Sequence, residues 1–275
     1  MGTGSRRKPA MTDTALAALS AAPPHRSPAS KVPQVALIFW VVKILTTGMG
    51  ETTSDFLAHH IYPPIAVIIG FLGLIAALAL QLAAPRYNAW IYWLAVVMVS
   101  IFGTMAADVL HVGLGIPYVV STTSFAISLA LILWLWHRVE GTLAIHSIHS
   151  RRRELFYWAT VLATFALGTA AGDMTATSLG LGYLDSGVMF TGIFMLPALA
   201  YWRLGLPEVP AFWFAYIVTR PLGASFSDWM GVNHARGGLA WGTGPVSLTL
   251  AALIVLCVGY LAVSRCDVEP EPERK

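Results

Sequence analysis

Eight long apolar stretches, separated by short polar segments, dominate the chain from residue 34 to residue 264. Each is about as long as the roughly 20-residue helix that crosses a bilayer. The pattern therefore predicts an all-α membrane protein with eight transmembrane helices. The predicted spans, one to eight, are approximately residues 34–56, 62–82, 90–112, 117–137, 155–177, 185–203, 210–232 and 244–264.

The composition points to the lipid bilayer as the main partner. Hydrophobic residues make up 56% of the 275 residues and charged residues only 11%, whereas soluble domains usually carry about 25% charged residues. A chain with so little charge cannot cover itself with polar surface. Residues 1–32, rich in Ala, Ser and Pro, and residues 266–275 are predicted to be disordered tails, which leaves residues 33–265 as the transmembrane domain.

The distribution of Lys and Arg predicts the orientation. With the N-terminus in the cytoplasm, 14 of the 17 Lys and Arg residues fall in the tails or in the loops at Arg86, at residues 138–153 and at Arg203. Only Arg236 falls outside. This positive-inside bias predicts that both termini are cytoplasmic. It also explains the net charge of +3 without a nucleic-acid partner.

A four-fold internal repeat underlies the eight spans. The pattern aromatic-Trp-x9-Gly-x3-small-Asp occurs four times without gaps, once in each odd-numbered span. The repeats are about residues 33–84, 88–138, 153–204 and 208–264. Because each repeat holds two spans, all four have the same orientation, which predicts parallel-repeat helical hairpins. The simplest arrangement places the four odd helices inside and the four even helices around them.

Each position that recurs in all four repeats has a physical interpretation. The tryptophans would form an interfacial belt where the chain enters the lipid: Trp40, Trp93, Trp158 and Trp213. The glycines, in Gly-x-x-x-small spacing, would let the odd helices pack closely: Gly50, Gly103, Gly168 and Gly223. The aspartates lie roughly 22 Å further along each helix, all at one depth toward the outer side: Asp55, Asp108, Asp173 and Asp228.

The spans hold more acids than bases. Glu51 joins the four aspartates, against Lys43 and Arg220. Because charges within a bilayer are costly, such a surplus suits a cation-binding site or a proton relay. The alternatives are that the aspartates close a hydrogen-bonded ring that holds the helices together, or that they lie shallow enough to contact water.

Span one departs from the repeat. Lys43, Thr47, Glu51 and Asp55 follow each other at intervals of four and form one helical stripe. Lys43 is the strongest candidate for a group that switches charge or pairs with an acid, and Thr47 and Arg220 are the further charge-coupling candidates. The alternative is an internal Lys–Glu pair without a mechanistic role.

Two histidines are candidate metal ligands. His59 follows Asp55 by four residues and His111 follows Asp108 by three, which places Asp and His on one helical face. The spacing is not kept across the repeats, so interfacial or capping histidines are the favoured interpretation. The sequence contains no cofactor motif, and a bound cation is the one ligand that the carboxylates suggest.

The chain resembles a bacterial family of membrane proteins built from four tandem two-helix repeats, each with one repeat tryptophan, whose function is unassigned. Residues 140–149 and 165–173 are the most typical stretches, and the resemblance covers residues 33–264. It implies a multi-pass protein of the bacterial cytoplasmic (inner) membrane and no particular activity. Arg220 is a departure, because it replaces an apolar or hydroxyl residue in an otherwise regular repeat.

These features favour a small-cation transporter or channel that uses the intramembrane carboxylates, most concretely a proton-coupled exchanger of a divalent metal. The alternative is a non-transporting binding, assembly or sensor protein in which the repeated aspartates are structural. An enzyme is not expected, because the His-Glu-x-x-His and Gly-x-Ser-x-Gly motifs are absent. The sequence leaves homo-oligomerisation open.

Overall fold

The computed structural model describes residues 30–268, and this part of the chain is helical, without β-strands. Six of its eight long helices are apolar enough to cross a membrane. The helices are α1 (Leu37–His60), α2 (Pro63–Ala83), α3 (Ala89–Asp108), α4 (Tyr118–Glu140), α5 (Arg151–Asp173), α6 (Gly182–Leu204), α7 (Glu208–Gly231) and α8 (Thr243–Ser264). The two others, α1 and α7, are equally long but more polar. The protein is therefore an all-α, multi-pass membrane protein.

Local sequence signals set the helix ends. Prolines occupy the first turn of α2. Backbone N–H groups in a first turn have no hydrogen-bond acceptor within the helix, so proline, which has no N–H, costs nothing there. Asn88 and Ser150 accept hydrogen bonds from backbone amides in the first turns of α3 and α5. Gly141 and Gly205, which end α4 and α6, adopt positive φ angles of 72° and 67°, a conformation that glycine adopts without steric cost.

The odd helices form the interior of the bundle. Helices α1, α3, α5 and α7 pack successively against one another, and α7 packs against α1, so that the four make a closed ring. Taken together, more than half of the residues of these four helices are buried. The even helices lie outside the ring and expose many large apolar side chains, as helices in contact with lipid do.

The two helices of one repeat make few contacts with each other. Each even helix packs instead along the odd helix of the following repeat: α2 on α3, α4 on α5, α6 on α7, and α8 back on α1. The rings of Phe71 and Phe102, for example, lie 5.5 Å apart between α2 and α3, and Thr53 and Ser247 share a 2.5 Å hydrogen bond between α1 and α8. Each packed pair therefore joins two repeats, and the last pair closes the ring.

The repeat tryptophans do not form a belt at the lipid interface. Trp93, Trp158 and Trp213 are at most 4% exposed, and Trp40 is partly buried. Each packs at a tilt against the aromatic residue of the preceding repeat, with ring centroids 5.6–6.3 Å apart. The pairs are Phe39–Trp93, Tyr92–Trp158, Tyr157–Trp213 and Phe212–Trp40. The aromatic pairs thus form a closed collar inside the bundle, because packing between the odd helices buries more of each ring than lipid contact would.

The repeat glycines lie where the odd helices approach most closely. Each faces a residue seven positions after the tryptophan of the next repeat. A Cβ at Gly103 would lie 2.7 Å from the Cβ of Phe165, and a Cβ at Gly223 would lie 2.9 Å from the Ile44 carbonyl. The four contacts are Gly50–Ser100, Gly103–Phe165, Gly168–Arg220 and Gly223–Thr47. Only a residue without a side chain fits at these crossings.

The described ends of the chain meet at the end of the bundle that carries the collar. The amide of Gln34 donates to the carbonyl of Asp267 at 2.9 Å, and the hydroxyl of Tyr87 bonds to the Asp267 carboxylate. Burial and this hydrogen bond raise the pKa of Tyr87 well above its usual value. Lys31 forms a 2.7 Å ion pair with the fully buried Glu154. Residues 30–32 and 266–268 therefore pack against the bundle, whereas residues 1–29 and 269–275 of the predicted tails lie outside the described residues.

We expect Gly168→Ala to destabilise the protein by about 1–3 kcal/mol, the usual cost of overpacking. The added methyl group would meet the stem of Arg220 and lie 2.9 Å from Cδ of Pro221. Thermal unfolding in detergent measures the effect. Gly192→Ala on α6 is the control, because nothing lies within 4 Å of its Cβ position and alanine favours the helix. Equal melting temperatures for the two variants would contradict the close approach.

Candidate cation site

The four repeat aspartates converge on one cavity. It has a volume of about 580 Å³, and Asp55, Asp108, Asp173 and Asp228 all line it, together with Glu51. The cavity lies at the end of the ring opposite the aromatic collar, because each aspartate follows its tryptophan by 15 residues. The equal depth of the aspartates follows from their spacing, and the closed ring of odd helices brings them around one axis.

Three of these carboxylates come close enough to share one ion. Carboxylate oxygens of Glu51, Asp173 and Asp228 all lie within 4.8 Å of one another. Asp228 is only 6% exposed, and its Oδ1 atom has no hydrogen-bond partner among the described residues. An unpartnered buried carboxylate oxygen is costly. A hard cation, which prefers several carboxylate oxygens, fits this arrangement.

Arg220 lies beside the cavity and is joined to it through Glu51, which lines it. Its guanidinium is fully buried, and its Nη2 atom bonds to the Glu51 carboxylate and to Thr104. Nη2 also donates to the Thr169 hydroxyl at 2.7 Å, and Nη1 donates to the Thr47 carbonyl at 3.1 Å. The guanidinium is thus bound by groups from α1, α3 and α5, while its own helix is α7. This network fills the centre of the bundle next to the carboxylates.

Lys43 lies between the Arg220 network and the aromatic collar. Its amine is fully buried and lies 4.1 Å from the ring centroid of Phe165 and 4.3 Å from that of Tyr216. Within residues 30–268 it has no hydrogen-bond partner. The ion pair at the centre forms between Glu51 and Arg220. Lys43 therefore does not form the Lys–Glu pair that was the alternative interpretation of the span-one stripe.

Thr47 contributes to the site mainly through its backbone. Its hydroxyl donates to the Ile44 carbonyl at 2.6 Å and lies 3.2 Å from the Thr219 carbonyl. Its own carbonyl accepts the hydrogen bond from Arg220. The side chain also faces Gly223 at the α1–α7 crossing. Thr47 thus positions α7 and its arginine rather than facing the cavity.

The histidines do not join the carboxylate cluster. His59 lines the cavity, but its Nδ1 atom lies 2.6 Å from the carbonyl of Asp55. His111 does not line the cavity; its ring bonds to the Ile116 carbonyl and to Ser121 in its own loop and hairpin. Of the residues that the structure describes, only carboxylates make up the three-residue cluster. The structure therefore does not support His111 as a metal ligand.

The helix turns after two of the aspartates are wide. A π-helical turn, Val109–Gly113, follows Asp108, and a second, Met174–Ser178, follows Asp173. Such turns are rare and often occur at functional sites. In α1 and α7 the α-helix instead continues past the aspartate. The cavity wall thus combines two regular helices with two widened ones.

Arg236 lies at the mouth of the cavity. It is exposed, lines the cavity and bonds to the hydroxyl of Tyr183, which also lines it. From the distribution of Lys and Arg, Arg236 was expected only as the one basic residue of the outer loops. Its contact depends on how the loop between α7 and α8 folds back, which the sequence pattern does not reveal.

Thr104 and Thr169 belong to the site although the aromatic-Trp-to-Asp pattern does not single them out. Both bind the Arg220 guanidinium. A signal for them exists in the repeat: the residues eleven positions after each tryptophan are Glu51, Thr104, Thr169 and Ala224. Three of the four are polar within apolar spans, which marks this position as an inward-facing layer.

The fold and the cavity define a class of protein: a multi-pass, all-helical membrane protein made of four tandem repeats with a central cluster of carboxylates. A family model described as "Repeat of Unknown Function (DUF347)" matches residues 38–87, 91–142, 156–205 and 211–266. The chain belongs to this family, and the resemblance inferred from the sequence is confirmed. Each matched segment contains one copy of the aromatic-Trp-to-Asp pattern. No curated protein and no solved structure matches the chain.

We expect Arg220→Met to cost about 3–5 kcal/mol of stability, because it leaves the Glu51 carboxylate buried without its partner. Glu51→Gln should be similarly destabilising. The double variant should lose less than the sum of the two, because the groups act as a pair. A double-mutant cycle of thermal unfolding measures this coupling, with the exposed Arg203→Met as the control. Additive losses would show that the pair does not couple.

Proposed function

We propose that this protein binds a small cation in the carboxylate cavity and transports it across the bacterial cytoplasmic membrane. Both termini are proposed to be cytoplasmic, so that the cavity opens to the outside and the aromatic collar lies at the cytoplasmic end. The positive-inside bias of the loops supports this orientation. The proposal is for transport rather than catalysis, since the sequence contains neither a His-Glu-x-x-His nor a Gly-x-Ser-x-Gly motif.

The observation that carries the proposal is the convergence of five carboxylates on one cavity. With all groups ionised, Glu51, Asp55, Asp108, Asp173 and Asp228 give five negative charges, and the two arginines Arg220 and Arg236 give two positive ones. The remaining surplus of about three negative charges would be costly without a counter-ion. A divalent cation or bound protons relieve it.

The substrate class that fits best is a hard divalent cation. Glu51, Asp173 and Asp228 offer oxygens within 4.8 Å of one another. The cavity has a volume of about 580 Å³. One water occupies about 30 Å³ of liquid volume, so the cavity has room for an ion together with several waters. An ion would thus keep several waters there, as Mg²⁺ usually does in proteins.

The alternative, in which the aspartates are structural, receives less support from the geometry. Among the described residues, no hydrogen bond joins one repeat aspartate to another, and all four line the cavity instead. The helices are held together by glycine crossings, the packed aromatic rings of the collar and the Arg220 network. A sensor that binds the same cation without transporting it is distinguished from a transporter by flux measurements.

The closed inner half of the axis implies how transport would work. A cation in the cavity meets the Arg220–Glu51 pair, then Lys43, then the aromatic collar. To reach the cytoplasm it requires a second conformation in which these layers separate. We propose that Lys43, whose amine has no hydrogen-bond partner among residues 30–268, takes up or releases a proton as the layers move and thereby couples transport to protons.

We expect a divalent cation to raise the melting temperature of the purified protein in detergent, because a ligand that binds only the folded state stabilises it. Asp173→Asn and Asp228→Asn should abolish this shift, since each removes a carboxylate of the three-residue cluster. A panel of mono- and divalent cations identifies the ion. Chelation should reverse the shift.

The matched control is Asp185→Asn, which removes an exposed acid from the first turn of α6. This variant should keep the full shift. If no cation raised the melting temperature of the wild type, or if Asp185→Asn lost the shift as completely as Asp173→Asn, the cavity would not be the cation site.

In proteoliposomes we expect uptake of the stabilising cation that depends on an imposed pH gradient. Lys43→Met should retain the cation-induced thermal shift but lose the dependence of uptake on the pH gradient, because the coupling group is gone while the carboxylates remain. Cation binding without any flux in the wild type would favour the sensor alternative. An unchanged pH-gradient dependence in Lys43→Met would exclude the coupling role.

A further inference from the structure

The groups around Arg220 resemble a cation site more than a simple ion pair. The guanidinium is bound by one carboxylate, two threonine hydroxyls and one backbone carbonyl, from Glu51, Thr104, Thr169 and Thr47. All of these are hydrogen-bond acceptors for a cation with several N–H donors. One carboxylate among them balances a single positive charge. The set therefore suits a monovalent cation that donates several hydrogen bonds.

The repeat symmetry shows how this set arises. Positions eleven residues after the tryptophans supply Glu51, Thr104 and Thr169 from repeats one to three. Repeat four has Ala224 at this position and instead supplies the occupant, Arg220, from one turn earlier on the same helix. Three repeats thus build an acceptor layer on the axis, and the fourth fills it.

The layer adjoins the carboxylate cavity directly. Glu51 belongs to both, because it bonds to Arg220 and also lines the cavity beside Asp173 and Asp228. A cation that moves inward from the cavity along the axis therefore meets this layer next. The guanidinium occupies the position that such a cation would take.

The backbone next to Arg220 is suited to movement. Pro221 lies within α7 and lacks an N–H, so the carbonyl four residues earlier loses its helical hydrogen bond. The Nε atom of Arg220 has no partner among the described residues, so the side chain is held by its two terminal nitrogens. The aliphatic part of the Arg220 side chain passes over Gly168, and any side chain at position 168 would collide with it.

We propose that the layer of Glu51, Thr104 and Thr169, with the Thr47 carbonyl, is a second cation site that accepts guanidinium and similar small monovalent cations with several N–H donors. The guanidinium of Arg220 is its resident, tethered occupant and closes the axis. This inference rests on the proposed function in one respect, that the axis is the route of the transported cation. Passage then requires Arg220 to leave the layer.

The test is chemical rescue of Arg220→Ala by the free guanidinium ion, followed by thermal unfolding in detergent. The wild type should not be stabilised by guanidinium at low millimolar concentrations, because its own arginine fills the site. Arg220→Ala should melt lower, and guanidinium should restore much of the loss. Sodium and the bulkier tetramethylammonium, which donates no hydrogen bonds, should not.

The acceptors are tested in the Arg220→Ala background. Thr104→Val together with Thr169→Val should raise the guanidinium concentration required for rescue about tenfold or more, because two hydrogen bonds to a charged group are lost. Thr123→Val, an exposed threonine on α4, is the matched control and should leave the rescue unchanged. Arg236→Ala, which removes the other arginine of the cavity, should show no rescue.

Two results would overturn the inference: a folded Arg220→Ala that guanidinium stabilises no more than sodium does, or a rescue that survives loss of both threonine hydroxyls. If Arg220→Ala does not fold alone, it is extracted from membranes in the presence of guanidinium. Concentration-dependent recovery of monodisperse protein then supports the site, and failure of recovery overturns it.

The readout separates this inference from the proposed function. Guanidinium rescue of Arg220→Ala does not require that the wild type binds a divalent cation. Rescue without any divalent-cation shift in the wild type would refute the proposed function and leave the second site standing. A divalent-cation shift without rescue would do the reverse.

Discussion

The ion pair between Arg220 and Glu51 is the interaction on which the architecture of the bundle centre depends. A guanidinium that is fully buried is tolerated only when it is paired and hydrogen-bonded. Here its partners come from α1, α3 and α5, so satisfying one charge fixes the relative positions of all four inner helices. The glycine crossings allow the helices to come close enough for these bonds, and Gly168 in particular leaves room for the stem of Arg220.

The functional features arise where the repeats differ, on a scaffold that the repeats share. Four similar helices with the same glycine crossings produce a nearly symmetric ring, and this symmetry brings the four aspartates to one cavity. The same symmetry builds the aromatic collar. Lys43 and Glu51 in repeat one and Arg220 in repeat four break it. Glu51 lines the cavity with the aspartates, whereas Arg220 and Lys43 lie beyond it toward the collar, so the two ends of the ring differ.

The layers packed between the cavity and the opposite end of the bundle bear on the proposed transport. In the proposed transport, the carboxylates bind a cation from one side only while Arg220, Lys43 and the collar remain packed. Opening the inner half requires the odd helices to separate, and α7 is the helix with a proline next to the closing arginine. The even helices can follow such a movement because each packs on the odd helix of the next repeat rather than on its own partner.

The eight helices, the four repeats, the family and the common depth of Asp55, Asp108, Asp173 and Asp228 were all predictable from the sequence, because hydrophobic length and spacing along a helix depend only on the order of residues. The tertiary structure alone decided which way each helix is rotated and which neighbour it packs against. Rotation and neighbour choice follow from side-chain packing between distant segments. For this reason the tryptophans proved to be buried in a collar, Glu51 proved to pair with Arg220 rather than with Lys43, and His111 proved to bond within its own loop.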